Sequence, residues 1–412
     1  MTAIPTSFDE IDQILAGNAQ SEREFRLVLP ALAALVRRPC WETSLLQWLA
    51  TEITDSRIAA ETGTSTAAVD VLGNLRNTLC GASLCLLPAD LFHTPAPSDL
   101  VRLRDLLVEQ QETWPDLASL GNAFVICADH LVANSTSLSS NRRGVFRLPA
   151  RLYPPSAKGA PTDWDGFNSL VRDLVRAVCG QSLQPMWSEP SQETAIPTIL
   201  HELFKNTHEH ARTWWDGTKP KFSLRGVAAN FFDLESFDNL AKGPVVLDPA
   251  SAYVREVLEL RKGRTLDSIR SKNVRGFLEL SIFDTGPGLV GRMMGSDPTL
   301  MGSNEQLEVV KDCLKRGYSS TDNETRGYGL SKVLSRLKKS HGFIRIRTNG
   351  VNAYRSFARF NALEAGSDSG YDRLLDWKIM YSPRQSTYRS LRGTVITVMI
   401  PMGKTDEEAS NP

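Results

Sequence analysis

The stretch that most limits the fold is GFLELSIFDTGPGL, residues 276–289. Leu278, Leu280 and Ile282 alternate with Glu279, Ser281 and Phe283, a period of two that predicts a β-strand ending at Asp284. Gly286 and Gly288 follow at once. Glycine adopts backbone dihedrals that side chains forbid and lets a ligand come close to the main chain. A carboxylate fixed at such a strand end can accept a hydrogen bond from an amino group such as that of adenine. The ordinary reading of the same residues is an Asp-Thr-Gly turn that closes a strand.

Two further segments gain meaning beside the first. In TILHELFKNTHEHAR (198–212), helical spacing puts Glu202 and Asn206 four apart on one stripe with Glu209. Leu200, Leu203, Phe204, Thr207 and Ala211 form an apolar stripe that can pack on a sheet. The Asn206 amide oxygen suits Mg²⁺, which prefers hard oxygen ligands and substrate phosphates. The Glu202 carboxylate can take a proton from a water attacking a γ-phosphate. On its own, a Glu-Asn pair on a helix is usually just solvated. His208 and His210 read as exposed helix histidines, because no third ligand is spaced for zinc.

In KRGYSSTDNETRGYGLSKVLSRLKKSHGFIRI (315–346), Gly327 and Gly329 run into an amphipathic helix from Leu330 to Lys339. Backbone N–H groups at a helix start make a phosphate site. Ser319, Ser320 and Thr321 add hydroxyls, and Arg316, Arg326 and Lys332 add cations. The plain alternative is a flexible polar loop before a surface helix.

The three segments in this order, with a closing strand GTVITVMIP (393–401), resemble the GHKL family of gyrase, ninety-kilodalton heat-shock chaperones, histidine kinases and mismatch-repair ATPases. The resemblance covers about residues 191–402. It implies a Bergerat-type α/β sandwich, a mixed sheet with helices on one face, that binds ATP and Mg²⁺. It assigns Asn206 to the metal, Glu202 to the role of hydrolytic base, and Asp284 to adenine above Gly286 and Gly288. It places the phosphates at Ser319, Ser320, Arg326, Gly327, Gly329, Leu330 and Lys332, and makes residues 289–326 a mobile lid. The activity implied is ATP hydrolysis that closes the lid and switches another protein or a homodimer. The alternatives are a histidine- or serine-kinase-like protein kinase and a non-hydrolysing, nucleotide-gated interaction module. His201-Glu202-Leu203 superficially resembles a phosphoacceptor box, but Lys205-Asn206-Thr207 follow where a proline is usual, and no acceptor helix pair is evident. Gly286, Gly288 and Gly291 also match a dinucleotide-binding fingerprint, but Gly and Pro in 290–304 break the helix it needs.

The remainder of the 412 residues implies a mainly helical N-terminal domain (1–150), a linker and connecting helix (151–190), insertions near 213–273 and 351–391, and a disordered tail (403–412). The whole is expected to be α+β. Residues 20–50 and 99–111 have helical spacing, and NAFVICADHLV (122–132) contains a candidate buried strand. Residues 55–79 suggest a helix-turn-helix pair. Thr66, Ala67, Ala68 and Asp70 at its second helix offer little to base edges, so sequence-specific DNA binding is not expected. Net charge is zero, the start lacks a signal pattern, and no apolar run approaches the ~20 residues that span a bilayer. Six scattered cysteines without a CxxC pair point to buried, reduced thiols. A cytoplasmic protein without a membrane partner is expected.

Overall fold

The protein is an α+β structure. Its computed structural model describes residues 25–28, 39–55, 58–62, 78–86, 90–93, 101–102, 122–129, 149–154, 161–180, 184–185, 195–234, 248–260, 274–315, 329–358 and 373–403. In chain order these give β1 (Phe25–Val28), α1 (Trp41–Asp55), β2 (Ile58–Thr62), α2 (Leu79–Leu86), β3 (Asp90–His93), β4 (Val101–Arg102), β5 (Asn122–Ala128), α3 (Trp164–Cys179) and β6 (Gln184–Pro185). There follow α4 (Ala195–His210), β7 (Leu224–Asp233), α5 (Pro249–Leu260), β8 (Val274–Asp284), α6 (Gly288–Met294), α7 (Ser303–Leu314) and α8 (Gly329–Lys339). The chain closes with β9 (Phe343–Asn349), β10 (Val351–Ser356), β11 (Leu375–Asp376) and β12 (Leu391–Gly403).

Seven strands form one sheet in the order β11-β10-β9-β12-β8-β7-β5, and β6 pairs with the end of β12. Every described pairing in it is antiparallel, so the expected mixed sheet is corrected. Strand alternation sends Leu278, Leu280 and Ile282 of β8 and Ile396, Val398 and Ile400 of β12 to one face. There they meet Phe167, Leu170 and Leu174 of α3, Leu200, Leu203 and Phe204 of α4, and Val333, Leu334 and Leu337 of α8. Asp163 caps α3 by accepting from the Gly166 N–H at 3.0 Å.

The expectation of helices on one face only is also corrected. Phe232, Phe277, Phe343, Tyr354 and Met399 point the other way and pack with Tyr253, Val254 and Val257 of α5. Helix α1 lies on this back face too, at β12. Its Gln47 donates to the backbone oxygens of Arg347 (3.2 Å), Arg392 (3.1 Å) and Gly393 (3.3 Å), and its Thr51 hydroxyl accepts from the Arg392 N–H at 3.0 Å. A two-sided cover explains why Glu279 and Ser281, polar residues of an alternating strand, are both buried.

The expected boundary at residue 150 does not hold for this sheet. Strand β5 comes from the first 150 residues and pairs along β7, covering an edge that would otherwise expose unpaired backbone groups. Leu152 and Tyr153, expected in a linker, are buried in the core. The expected insertions also supply regular structure: β7 and α5 from the first, β10 and β11 from the second.

Elsewhere β1, β2, β3 and β4 make a four-stranded sheet, parallel except for β3–β4. Ile58–Thr62 is therefore a strand where a helix-turn-helix was expected, and residues 63–77 of that pair lie outside the described residues. Phe25–Val28 and Val101–Arg102, expected to be helical, are likewise strands. Long-range pairing outweighs local helical spacing in these short runs. No helix among the described residues is long and apolar enough to cross a membrane.

Candidate functional site

Helix α4 runs under the sheet end at which β8 stops. Leu203, Phe204 and Thr207 are buried, whereas Glu202, Asn206 and Glu209 are only partly so. The Asn206 amide has no hydrogen-bond partner among the described residues. The helix ends against the turn that follows β8. A Cβ on Gly286 would lie 2.6 Å from the Cα of Ala211 and 2.7 Å from its carbonyl oxygen. Gly286 is thus required by a backbone-to-backbone approach of turn and helix. The sequence had suggested unusual backbone dihedrals or close approach by a ligand, not this contact between turn and helix.

Asp284 is buried and faces the α4 side of the sheet, in step with Leu280 and Ile282. Its Oδ1 accepts the Gly286 N–H at 2.9 Å. Burial pushes its carboxyl up to about 7, opposed by backbone N–H donation from Gly286 and Thr394 and by the charge of Arg225. Thr394 is its partner in the register on β12. The neighbouring Gly393 has φ +70°, and its N–H donates to the Gly286 oxygen at 2.8 Å. A Cβ there would lie 1.9 Å from the Asp284 oxygen. Two glycines therefore clamp the aspartate between β12 and α4.

A buried polar network stands beside it. Arg225 is the β7 partner of Asp284 in the register, and its guanidinium is wholly buried. It donates to Asp129 Oδ1 at 2.6 Å and to His208 Nδ1 at 3.1 Å, and lies 5.0 Å from the Tyr153 ring centre. The Tyr153 hydroxyl meets the same His208 nitrogen at 3.0 Å. Burial, Arg225 and Arg212 lower His208 to about 4, so the ring is neutral. Because arginine only donates, His208 Nδ1 accepts and the proton sits on Nε2. His208 is thus a structural acceptor that joins Tyr153 and Arg225 to α4, and Arg225 extends the network to Asp129. Sequence reading missed this role, because the partners Tyr153 and Arg225 lie on other elements, 55 and 17 residues away.

The first turn of α6 is served by the end of β9. Leu289 N–H donates to Thr348 Oγ1 at 2.9 Å and Val290 N–H to Asn349 Oδ1 at 3.2 Å, while Asn349 Nδ2 donates to the Pro287 oxygen at 2.9 Å. Asn349 has φ +47° and Gly288 φ +77°. A Cβ on Gly288 would meet Asn349 Oδ1 at 2.3 Å. The Asn349-Gly350 pair was the available sequence signal, since Asn-Gly marks a tight turn.

Most of the segment expected to be a lid has regular structure. Residues 289–315 hold α6 and α7, with Val290, Leu307, Val310 and Leu314 in the core. The buried Gln306 amide donates to the Pro298 oxygen at 2.8 Å and its oxygen accepts the Gly350 N–H at 2.8 Å, fastening this segment to the β9–β10 turn. Residues 316–326 of the lid lie outside the described residues, as do the candidates Ser319, Ser320, Arg326 and Gly327.

Of the phosphate-side candidates, Gly329, Leu330 and Lys332 are described. Gly329 opens α8, and Leu330 is buried on its inner side. Helix α8 packs on α4, and Lys332 Nζ lies 3.5 Å from Glu202 Oε1. So α4 carries Glu202 with Lys332 near its middle, then Asn206, then Ala211 against Gly286. At ~1.5 Å per residue, Glu202 and Ala211 stand roughly 14 Å apart along the axis. That distance is comparable with the length of a nucleoside triphosphate. No family model, curated protein or solved structure matches the chain.

Proposed function

We propose that this chain is an ATP-binding protein of the GHKL, or Bergerat, type. In this reading it hydrolyses Mg-ATP and uses the cycle to switch a partner or dimer interface. The observation that carries the reading is the seating of the Asp284–Gly286 turn on the end of the helix that bears Glu202 and Asn206. The α8 helix start flanks the same helix through Lys332. The turn after β8 and the described start of α8 thus both lie against the helix that bears Glu202 and Asn206.

In this reading Asp284 accepts from the adenine amino group, and Thr394 and Gly286 hold the carboxylate in place. Asn206, whose amide has no partner among the described residues, would hold a magnesium ion through its amide oxygen, a hard ligand of the kind this ion takes beside substrate phosphates. When bound, the ion neutralises phosphate charge. Glu202 takes the proton from the attacking water, and Lys332 adds a positive charge at the phosphates. The reading is tested by calorimetric titration of the full chain with Mg-ATP together with a phosphate-release assay. Binding with turnover supports it. Binding without turnover makes the protein a nucleotide-gated module, and no binding rejects the nucleotide altogether.

A further inference from the structure

We propose that Lys332 is a triphosphate sensor: it holds Glu202 in an ion pair until a γ-phosphate draws the lysine away, so that the substrate itself releases the base. The inference rests on the nucleotide reading above and adds regulation to the same site.

Lys332 and Glu202 sit on different helices, α8 and α4, and lie 3.5 Å apart, Nζ to Oε1. Neither makes another hydrogen bond or ion pair with a described residue. The lysine side chain is 55% exposed and the glutamate 24%, so the cation is the partner free to swing. A lysine ammonium is a mobile point charge on a flexible stem, suited to exchanging one anion for another. An exposed pair at this separation is weak and is readily given up to a more highly charged phosphate. Lys205 and His201 also lie near Glu202 on α4, but His201 packs edge-on against Phe167 and Lys205 points to solvent. Lys332 is therefore the cation that joins the base to the α8 start, which lies on the phosphate side of the site.

A simple clamp between helices would make a different prediction. Losing a clamp lowers stability and weakens ATP and ADP alike. Losing a sensor changes the preference between them. Calorimetric titration of the full chain with Mg-ATP and with Mg-ADP separates the two. Lys332→Met is expected to lose roughly ten-fold or more of the ATP-over-ADP preference, the scale of one charge-assisted hydrogen bond. Lys332→Arg, which keeps the charge, is expected to retain most of it. Glu202→Gln frees the lysine and is expected to tighten ATP several-fold with little change for ADP, a gain absent when Lys332→Met is added. An unchanged ATP:ADP ratio in a folded Lys332→Met protein overturns the sensor while the nucleotide reading stands. If the wild-type protein binds neither nucleotide, the reading and the sensor fall together.

Discussion

Arg225 stands opposite Asp284 in the β7–β8 register, wholly buried and bonded to Asp129 at 2.6 Å. A fixed positive charge thus faces a carboxyl that burial alone would keep protonated. Asp284 rests at about 7, well above the ~4 of an unfolded aspartate.

That relationship sets a pH dependence. Between about 4 and about 7 the folded protein holds a proton on Asp284 that the unfolded chain has released. Its contribution to stability is therefore present at low pH and is lost as pH rises through about 7. His208, lowered to about 4, works in the opposite sense below ~6.5, so the wild-type profile mixes the two. Asp284→Asn isolates the carboxyl, because the amide oxygen can still accept the Gly286 N–H. Relative to wild type, the variant should gain thermal stability as pH rises from 5 to 8. A constant difference in melting temperature over that range would show that Asp284 does not titrate there.

Ligand binding should show the reverse slope. The ionised carboxylate is the stronger acceptor for an amino group, so ATP affinity should rise through about pH 7. Arg225→Met removes a charge that lowers Asp284, and the rise should move to higher pH. Asp284→Ala should lose about one to two decades of affinity. Calorimetric titrations across pH check all three, and a pH-independent affinity in the wild type counts against Asp284 as the acceptor.

Gly286→Ala should destabilise the fold by about 1–3 kcal/mol or more, because the new methyl meets the backbone of Ala211 and not a flexible side chain. Ala211→Gly should fail to rescue it, since the Cα and carbonyl oxygen remain in the way. Urea melts of the single and double variants decide this. Full rescue would mean that only the Ala211 methyl is in the way.

On the back face, Gln47→Ala removes a donor shared by three backbone carbonyl oxygens, buried or part-buried, and should cost about 1–3 kcal/mol. Nearby, Arg345 donates to the Cys40 oxygen at 3.2 Å and to Asn352 Oδ1 at 3.0 Å, with its guanidinium 4.1 Å from the Trp377 ring centre. Arg345→Lys cannot keep both bonds and the stacking, so it should destabilise despite the retained charge. Denaturant midpoints that match wild type would mean that α1 is not held by these contacts.

The sequence made the middle of the sheet and the helices beside it readable because their signals are local. The alternation of 278–283 gave β8, the apolar stripe of 200–211 gave α4, and the glycine before Leu330 gave α8. Glu202, Asn206 and Asp284 were found as motif residues, and the structure brings their elements together. What was not readable depended on distant partners. Glu279 was legible only as a polar position of an alternating strand. Its carboxylate is buried where Cys40, just before α1, donates its N–H and Asn230 of β7 donates its amide at 3.0 Å. Tyr153 and His208 meet across more than fifty residues, and Gln306 reaches across to Gly350. The helices within 289–315 went unread for the same reason. The polar, glycine-containing run after Asp284 hides apolar positions at helical spacing that find the core only in the folded chain.

The sharpest division lies between Glu202 and Asn206, one turn apart on α4 and both partly exposed on the same stripe. Their proposed tasks differ in kind. A general base acts on the attacking water in the transition state, and its loss typically costs ~10²–10⁴ in rate. A magnesium ligand acts already in the bound state, because the ion offsets the charge of the phosphates. Glu202→Gln should therefore bind Mg-ATP at least as well as wild type and hydrolyse it at least about a hundred-fold more slowly. Asn206→Ala should bind Mg-ATP weakly, and its residual affinity should respond little to magnesium. Phosphate release and calorimetric titration on the same three proteins, with and without the metal, read both effects. If Glu202→Gln keeps the full rate, the proton is taken by another group. If Asn206→Ala keeps the magnesium dependence of wild type, the amide of Asn206 is not a ligand, and the half-buried stripe of α4 has another purpose.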